Sequence, residues 1–251
     1  MTDTVTATPW VRRFHPAGQA PARLVCFPHA GGSATYYFPV SRALSPDADV
    51  LAVQYPGRQD RRSEPCVDDV RVLADLVVAE LLPWCDRPVT LFGHSLGATL
   101  AFEVALRLEA EGIVPRTLFA SGRRAPSRHR EHERVHLSDD AHLVGTIKRM
   151  SGTDAGLLAD EEVLRAVLPA IRGDYKAAET YRYRPGDLLA CPVVVLNGRS
   201  DQEVTVEEAQ AWAGQTTGPC VLRWFTGGHF YLNDHAAQVI EVIRESLRAT
   251  V

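Results

Sequence analysis

Five residues, Gly93-His94-Ser95-Leu96-Gly97, constrain this chain more than any other stretch. They read G-x-S-x-G and follow the apolar run Pro88-Val89-Thr90-Leu91-Phe92, which suits a buried strand. From Ala98 to Glu111 there is no proline or glycine, and Leu100, Ala101, Val104, Ala105 and Leu108 fall at helical spacing. A chain that passes from strand to helix in so short a span must turn sharply, and a Cβ two positions either side of the serine would clash in that turn. The pattern therefore predicts a Ser95 hydroxyl exposed at the carboxyl end of a strand, where a nucleophile would sit. A blander reading of the same residues has Ser95 simply capping the helix.

Short apolar runs alternate with helical patterns along most of the chain. Arg23 to Phe27, Asp49 to Gln54, Val89 to Phe92, Thr117 to Ser121, Val193 to Leu196 and Val221 to Phe225 read as strands, with Trp10 to Phe14 as an added edge. Helical patterns cover Tyr37 to Leu44, Val67 to Trp84, Leu96 to Glu111, Val206 to Ala213 and His235 to Leu247. Near-continuous apolar strands are buried on both faces, so the pattern predicts an α/β fold with a mostly parallel sheet covered by helices on both faces. A chain of 251 residues, 45% of them hydrophobic, can bury one large core. No linker rich in Pro, Ser or Gly divides it, so residues 1–251 read as a single domain. Between Arg123 and Pro185 the alternation stops, leaving helical patterns at Ala141 to Met150 and Glu161 to Tyr175. Residues 123–185 read as an inserted helical lid on the side where strands end, with Gly152 and Gly156 as flexible points.

Composition narrows the function classes. A net charge of -4 argues against nucleic acid as a partner. The start, Met1 to Ala7, lacks the basic and apolar regions of a secretion signal, and no apolar run is long enough to span a bilayer. These features imply a soluble cytoplasmic protein with no membrane partner. The five cysteines, Cys26, Cys66, Cys85, Cys191 and Cys220, are odd in number, scattered and without a C-x-x-C pair, so buried thiols are expected and neither a disulfide framework nor a zinc site. His129, His132 and His136 have the spacing of one helical face and suggest a metal site, but no matching Cys, Asp or Glu pattern accompanies them. No metal and no cofactor is expected.

Serine is a weak nucleophile near neutral pH and needs a base, itself oriented by a third group. In α/β-hydrolases the order along the chain is serine, acid, histidine, with the acid just past a late strand and the histidine in a loop near the carboxyl terminus. Asp201 follows the strand ending at Leu196, in Asn197-Gly198-Arg199-Ser200-Asp201, and His229 follows the last strand, in Thr226-Gly227-Gly228-His229-Phe230. Asp187, Asp234 and Glu203 compete for the role of acid, without the same strand-then-loop placement. His15, His29, His94 and His235 lie outside the expected late loop. A tetrahedral oxyanion would be met by the Leu96 amide, next to the nucleophile, and by an amide of Pro28-His29-Ala30-Gly31-Gly32, for which Ala30 is the choice.

Taken together, Phe27-Pro28-His29-Ala30-Gly31-Gly32-Ser33, Tyr55-Pro56-Gly57-Arg58-Gln59-Asp60-Arg61, Gly93-His94-Ser95-Leu96-Gly97-Ala98, Ser121-Gly122-Arg123-Arg124-Ala125-Pro126 and Gly227-Gly228-His229-Phe230-Tyr231-Leu232 resemble the type II thioesterases. These are the free-standing α/β-hydrolases that accompany polyketide synthases and nonribosomal peptide synthetases. The resemblance implies a Ser95, Asp201 and His229 triad, an oxyanion hole of Ala30 and Leu96, and hydrolysis of aberrant or stalled acyl groups from the phosphopantetheine arm of acyl or peptidyl carrier proteins. In the acid loop, relatives often carry a further acidic residue where this chain has Gly198-Arg199-Ser200. Carrier proteins are acidic, so Arg58, Arg61, Arg62, Arg123, Arg124, Arg128 and Arg130 are candidates for docking them, against a reading in which they form internal ion pairs. The alternatives are a medium-chain fatty acyl thioesterase, a small-molecule esterase or acyltransferase, and a carrier-binding scaffold without turnover.

Overall fold

The computed structural model describes residues 8–150 and 161–248. Its strands are β1 (Val11–Arg12), β2 (Arg23–Phe27), β3 (Asp49–Val53), β4 (Val89–His94), β5 (Thr117–Ser121), β6 (Val193–Gly198) and β7 (Cys220–Phe225). They form one sheet in the order β1-β3-β2-β4-β5-β6-β7. β1 runs antiparallel to β3, and all the other pairings are parallel. The helices are α1 (Phe38–Leu44), α2 (Val70–Leu81), α3 (Leu96–Ala110), α4 (Asp140–Met150), α5 (Glu161–Thr180), α6 (Val206–Gln210), α7 (Tyr231–Asp234) and α8 (Ala236–Arg248). This is the mostly parallel, helix-covered sheet that the sequence pattern implies. No described helix is long and apolar enough to cross a membrane.

Where elements differ from the pattern, local chemistry gives the reason. The edge strand β1 stops after Arg12, where Arg13 turns its guanidinium onto the Asp49 carboxylate, 2.9 Å away. α2 starts three residues late because Asp69 caps it, accepting from the Arg71 and Val72 amides at 2.8 and 3.0 Å. It ends in a 3-10 turn, Leu82–Trp84, that contains Pro83, which has no N–H to continue the ladder. α6 opens with a capping box between Thr205 and Glu208 and tightens into a 3-10 turn from Ala211.

Every residue of β2, β3, β4 and β5 is buried, so alternate side chains serve two cores. Val25, Phe27 and Leu91 join Leu73, Val104 and Trp212 on one face, while Leu24, Cys26 and Phe92 join Leu44, Tyr231 and Ile240 on the other. A third, smaller cluster of Leu143, Ile147, Leu168 and Ile171 ties α4 to the first half of α5. Farther along, Ala177 on α5 and Tyr181 just past its end belong to the main core, and the Tyr181 hydroxyl donates to Glu103 at 2.8 Å. α5 is thus anchored at one end on the layer that covers the sheet and carries α4 at the other. Gly152 and Gly156 lie outside the described residues. The cysteines are free thiols; Cys26 and Cys191 are buried, while Cys66, Cys85 and Cys220 are half-buried rather than fully enclosed.

One buried ion cluster secures the amino-terminal edge. Asp49, fully buried at the start of β3, accepts from Arg13 at 2.9 and 3.1 Å, from the Ala17 amide at 3.2 Å and from the equally buried Arg23 at 3.5 Å. Removing the carboxylate strands buried donors as well as a charge. Asp49→Ala is expected to lower stability by about 3 kcal/mol. Urea unfolding measures this directly, and a loss below 1 kcal/mol would show that the cluster contributes little.

Candidate active site

The site is assembled where the sheet changes direction, since β2 and β4 are neighbours at its centre and their connections leave toward opposite edges. At the end of β4 the chain turns on Ser95, whose φ of 55° and ψ of -121° are costly for a residue with a Cβ, about 1–3 kcal/mol. The turn is held by the Ser95 amide donating to the Ser121 carbonyl at 2.9 Å and by the Ala98 amide donating to the Ser95 carbonyl at 3.0 Å. The Ser95 side chain makes no capping bond to α3, so its hydroxyl is not used as a cap.

The flanking glycines are required by backbone contact. A Cβ on Gly93 would lie 2.1 Å from the Gly97 carbonyl oxygen, and one on Gly97 would lie 2.1 Å from the Phe27 oxygen and 2.7 Å from the Pro28 oxygen. The loop after β2 is therefore pressed against the first turn of α3. Ala30 and Leu96 both line a cavity of about 210 Å³, as do Ser95 and His229.

Asp201 and His229 arrive from β6 and β7 by the same device. A Cβ on Gly198 would lie 2.2 Å from the Gly228 oxygen, so glycine at that position lets the two loops meet. The Arg199 amide donates to the Phe225 carbonyl at 2.8 Å and the Ser200 amide to the Gly227 carbonyl at 2.9 Å. His229 Nδ1 and Asp201 Oδ2 are 2.9 Å apart, with both side chains buried, and Asp201 Oδ1 accepts from the Glu203 amide at 2.9 Å. These bonds hold the acid loop with Gly198-Arg199-Ser200 in place. Of the competing acids, Glu203 lines the cavity and Asp234 an adjoining one of about 440 Å³, yet the His229 ring bonds to Asp201. Ser95 shares the cavity with His229, and among the described residues no hydrogen bond joins the two; catalytic hydrogen bonds often tighten only around substrate.

Two more histidines enclose His229. His29 packs edge-on against Tyr36 and Phe230, with ring centroids 4.8 and 4.9 Å away, and His94 lies 5.0 Å from His229. His94 Nδ1 is 2.9 Å from Ser121 Oγ, which is 2.7 Å from the Tyr231 hydroxyl. Burial, then the neighbouring His229 and Arg58, lowers the His29 pKa to about 3. Burial, then His229 and His29, holds His94 well below the ordinary imidazole range. Both rings are neutral at neutral pH and place no cation beside His229. His15 and His235 are engaged elsewhere, with Ser41 and with Thr226 and Gln238.

Other expected features are arranged differently. His129 and His132 lie in a loop, not on a helix, and His136 lies in a 3-10 turn. Ion pairs of Arg124 with Glu133 and of Arg130 with Glu133 and Glu208 hold that segment non-helical. His136 Nδ1 is bonded to Glu179 and His129 Nδ1 accepts from Arg182, and no three His, Cys, Asp or Glu among the described residues could hold a metal. Most of the docking candidates point inward: Arg58 pairs with Asp174, Arg61 with Glu64, and Arg123 donates to Thr99 and to the Ala178 carbonyl. Arg62 and Arg128 are the exposed members of that group. Asp174 went unassigned from sequence, although its place three residues from both Ile171 and Ala177 puts a carboxylate on the apolar face of α5, a usable signal.

The buried histidines set a pH dependence. Their folded pKa values lie below the roughly 6.5 of an unfolded chain, so below that pH the unfolded state binds more protons and stability falls. For His29 the loss extends from pH 6.5 down toward 3, at up to about 1.4 kcal/mol per pH unit. The urea midpoint is expected to drop between pH 7 and pH 5, and to drop less in His29→Gln. An unchanged pH slope in that variant would contradict the assignment.

Comparison with known proteins identifies the family. A thioesterase domain family model matches residues 22–247. A probable cadicidin biosynthesis thioesterase of Streptomyces griseus is 57% identical over 242 residues, 96% of this chain and 67% of that protein. Thioesterase PikA5 of Streptomyces venezuelae is 51% identical over 243 residues, 96% of this chain and 86% of the relative. Among solved structures, the type II thioesterase BorB from the borrelidin biosynthetic cluster superposes with a TM-score of 0.92 at 51% identity, covering 97% of this chain and 99% of BorB. YbtT, a type II thioesterase from the yersiniabactin NRPS/PKS pathway, does so at 0.82 and 30% identity, covering 95% and 98%. On fold and sequence alike, the chain belongs to the thioesterase domain family.

Proposed function

We infer that this protein is a type II thioesterase that frees acyl groups from the phosphopantetheine arms of acyl or peptidyl carrier proteins in polyketide or nonribosomal peptide assembly. The observation that carries the reading is the 2.9 Å His229–Asp201 bond at the wall of the cavity into which the strained Ser95 turn opens. The biosynthetic thioesterases to which the chain is similar support the substrate class.

In this reading His229 takes the Ser95 proton as Oγ attacks the thioester carbon, and Asp201 holds the ring in the tautomer that presents Nε2 to the serine. The oxyanion of the tetrahedral intermediate is met by the Leu96 and Ala30 amides. Collapse breaks the C–S bond, the carrier thiol leaves with the proton from His229, and Ser95 keeps the acyl group as an oxoester. His229 then takes a proton from water, hydroxide adds to the acyl carbon, and Ser95 leaves with that proton as the free acid departs. Thioesters have little resonance stabilisation and thiolate leaves readily, so the residues alone suffice for this sequence. The two-helix segment formed by α4 and α5 is proposed as the lid over the cavity, which its residues Ile147, Ile171 and Tyr175 help to line.

Hydrolysis of propionyl- and decanoyl-loaded carrier protein, with matched oxoesters alongside, tests this. Ser95→Ala is expected to lower kcat by about 10⁴-fold or more and Asp201→Asn by roughly 10²–10⁴-fold, with folding retained. Turnover surviving in Ser95→Ala would remove the nucleophile, preference for the decanoyl carrier would favour fatty acyl release, and activity on oxoesters alone would favour an esterase.

A further inference from the structure

Asp174, on α5, takes no part in the proton transfers above, yet it touches the loop that carries the Ala30 amide. It is 1% exposed, and both carboxylate oxygens are used. Oδ2 accepts from the Gly31 amide at 2.7 Å and from Arg58 Nη1 at 2.6 Å, while Oδ1 accepts from Arg58 Nη2 at 2.9 Å. Arg58 Nη1 also donates to the Gly32 carbonyl at 3.2 Å, and its Nε donates to the Pro56 carbonyl at 3.3 Å. The Ala30–Gly31 peptide and the Gly32 carbonyl are thus gripped by one carboxylate from the helical segment and one guanidinium from the loop after β3. Ile171, one turn earlier on α5, fills the space a side chain on Gly31 would need, 2.8 Å from its Cβ position, and Gly31 adopts φ 74°.

A glycine pair does not fix its own peptide planes, because glycine populates positive and negative φ with similar ease. Within the loop the Gly32 amide donates to the His29 carbonyl at 2.9 Å and the Tyr55 hydroxyl donates to the Pro28 carbonyl at 3.0 Å, while the Gly31 amide and the Gly32 carbonyl are held from outside, by Asp174 and Arg58. A hole donor helps only if it already points at the place where charge develops. We propose that Asp174 is a positioning residue for oxyanion stabilisation. Through Gly31 and Arg58 it fixes the loop that presents the Ala30 amide, so that the helix covering the cavity also completes the oxyanion hole. This rests on the assignment of Ser95 and Ala30 above. It makes full transition-state stabilisation conditional on a seated α5, and it couples lid position to chemistry through a bidentate charge pair.

The test compares wild type, Asp174→Asn and the double variant Arg58→Gln/Asp174→Asn. The double variant removes both buried charges together and so avoids leaving Arg58 uncompensated if the single variant fails to fold. Each protein is titrated with butaneboronic acid, whose trigonal boron accepts the Ser95 oxygen as a fourth ligand while the hydroxyl proton passes to His229, giving a tetrahedral anion. Each is also assayed on propionyl-N-acetylcysteamine thioester. The expected result is a kcat lowered about 10- to 100-fold with KM within about twofold, and boronate affinity weakened by the same factor as kcat/KM. Circular dichroism and melting of the double variant should match those of the wild type. A folded variant that keeps wild-type kcat and boronate affinity, or one in which KM rises at constant kcat, overturns the proposal. Wild-type protein that neither turns over the thioester nor binds the boronate would instead remove the Ser95 reading beneath it.

Discussion

Backbone packed directly on backbone is the contact on which this site depends. At Gly97 the first turn of α3 meets the carbonyls of Phe27 and Pro28, and at Gly198 the end of β6 meets those of Gly227 and Gly228. Neither approach leaves room for a Cβ. The first brings the loop after β2 to the Ser95 turn; the second brings the Asp201 loop to the His229 loop. The sheet supplies the frame, since its parallel strands β2 to β7 end on one side and deliver these loops to a common rim. Side-chain hydrogen bonds then refine a geometry that the close approaches have already imposed.

Charge is organised in a similar inward manner. Asp49 collects Arg13 and Arg23 at the sheet edge, Glu103 takes Arg107 and the Tyr181 hydroxyl, and Asp174 takes Arg58 and Gly31. Each of these carboxylates is buried and joins elements distant in sequence. Two of them fasten α5, one through Tyr181 just past its end to the main core and the other, Asp174, to the loop after β2. The helix that shapes the cavity is accordingly tied at both places to the framework that positions the candidate catalytic groups. Of the arginines that motif position alone suggests for docking, Arg62 and Arg128 are the exposed ones, and the exposed Arg149, outside that set, lines the cavity itself.

The fold was legible because strands buried on both faces must be apolar throughout. β2 and β5 carry the bounds read from sequence, while β4 and β6 run two residues further into the loops that hold the site. The elbow was legible because few other structures need small residues on both sides of a serine after a strand. Asp201 and His229 followed from chain order, and the structure brings that pair into contact. Less visible was anything decided by a partner far along the chain. The bond between Asp174 and Gly31 spans 143 residues, and the loop around His129 is held by Glu133 and Glu208 against the helical pattern its histidines suggest. Spacing shows which residues could share a face but not which carboxylate will claim an arginine. A carboxylate on an apolar helix face is the one local sign that such a claim exists.

Ser95 as the atom that carries the acyl group is the point on which the chemistry turns. Wild-type protein mixed with one equivalent of propionyl-loaded carrier protein and quenched within milliseconds should gain the mass of a propionyl group, and proteolysis should place that mass on the peptide containing Ser95. Propionate released with no acyl-protein intermediate, or a propionyl group recovered on any other residue, would contradict the mechanism.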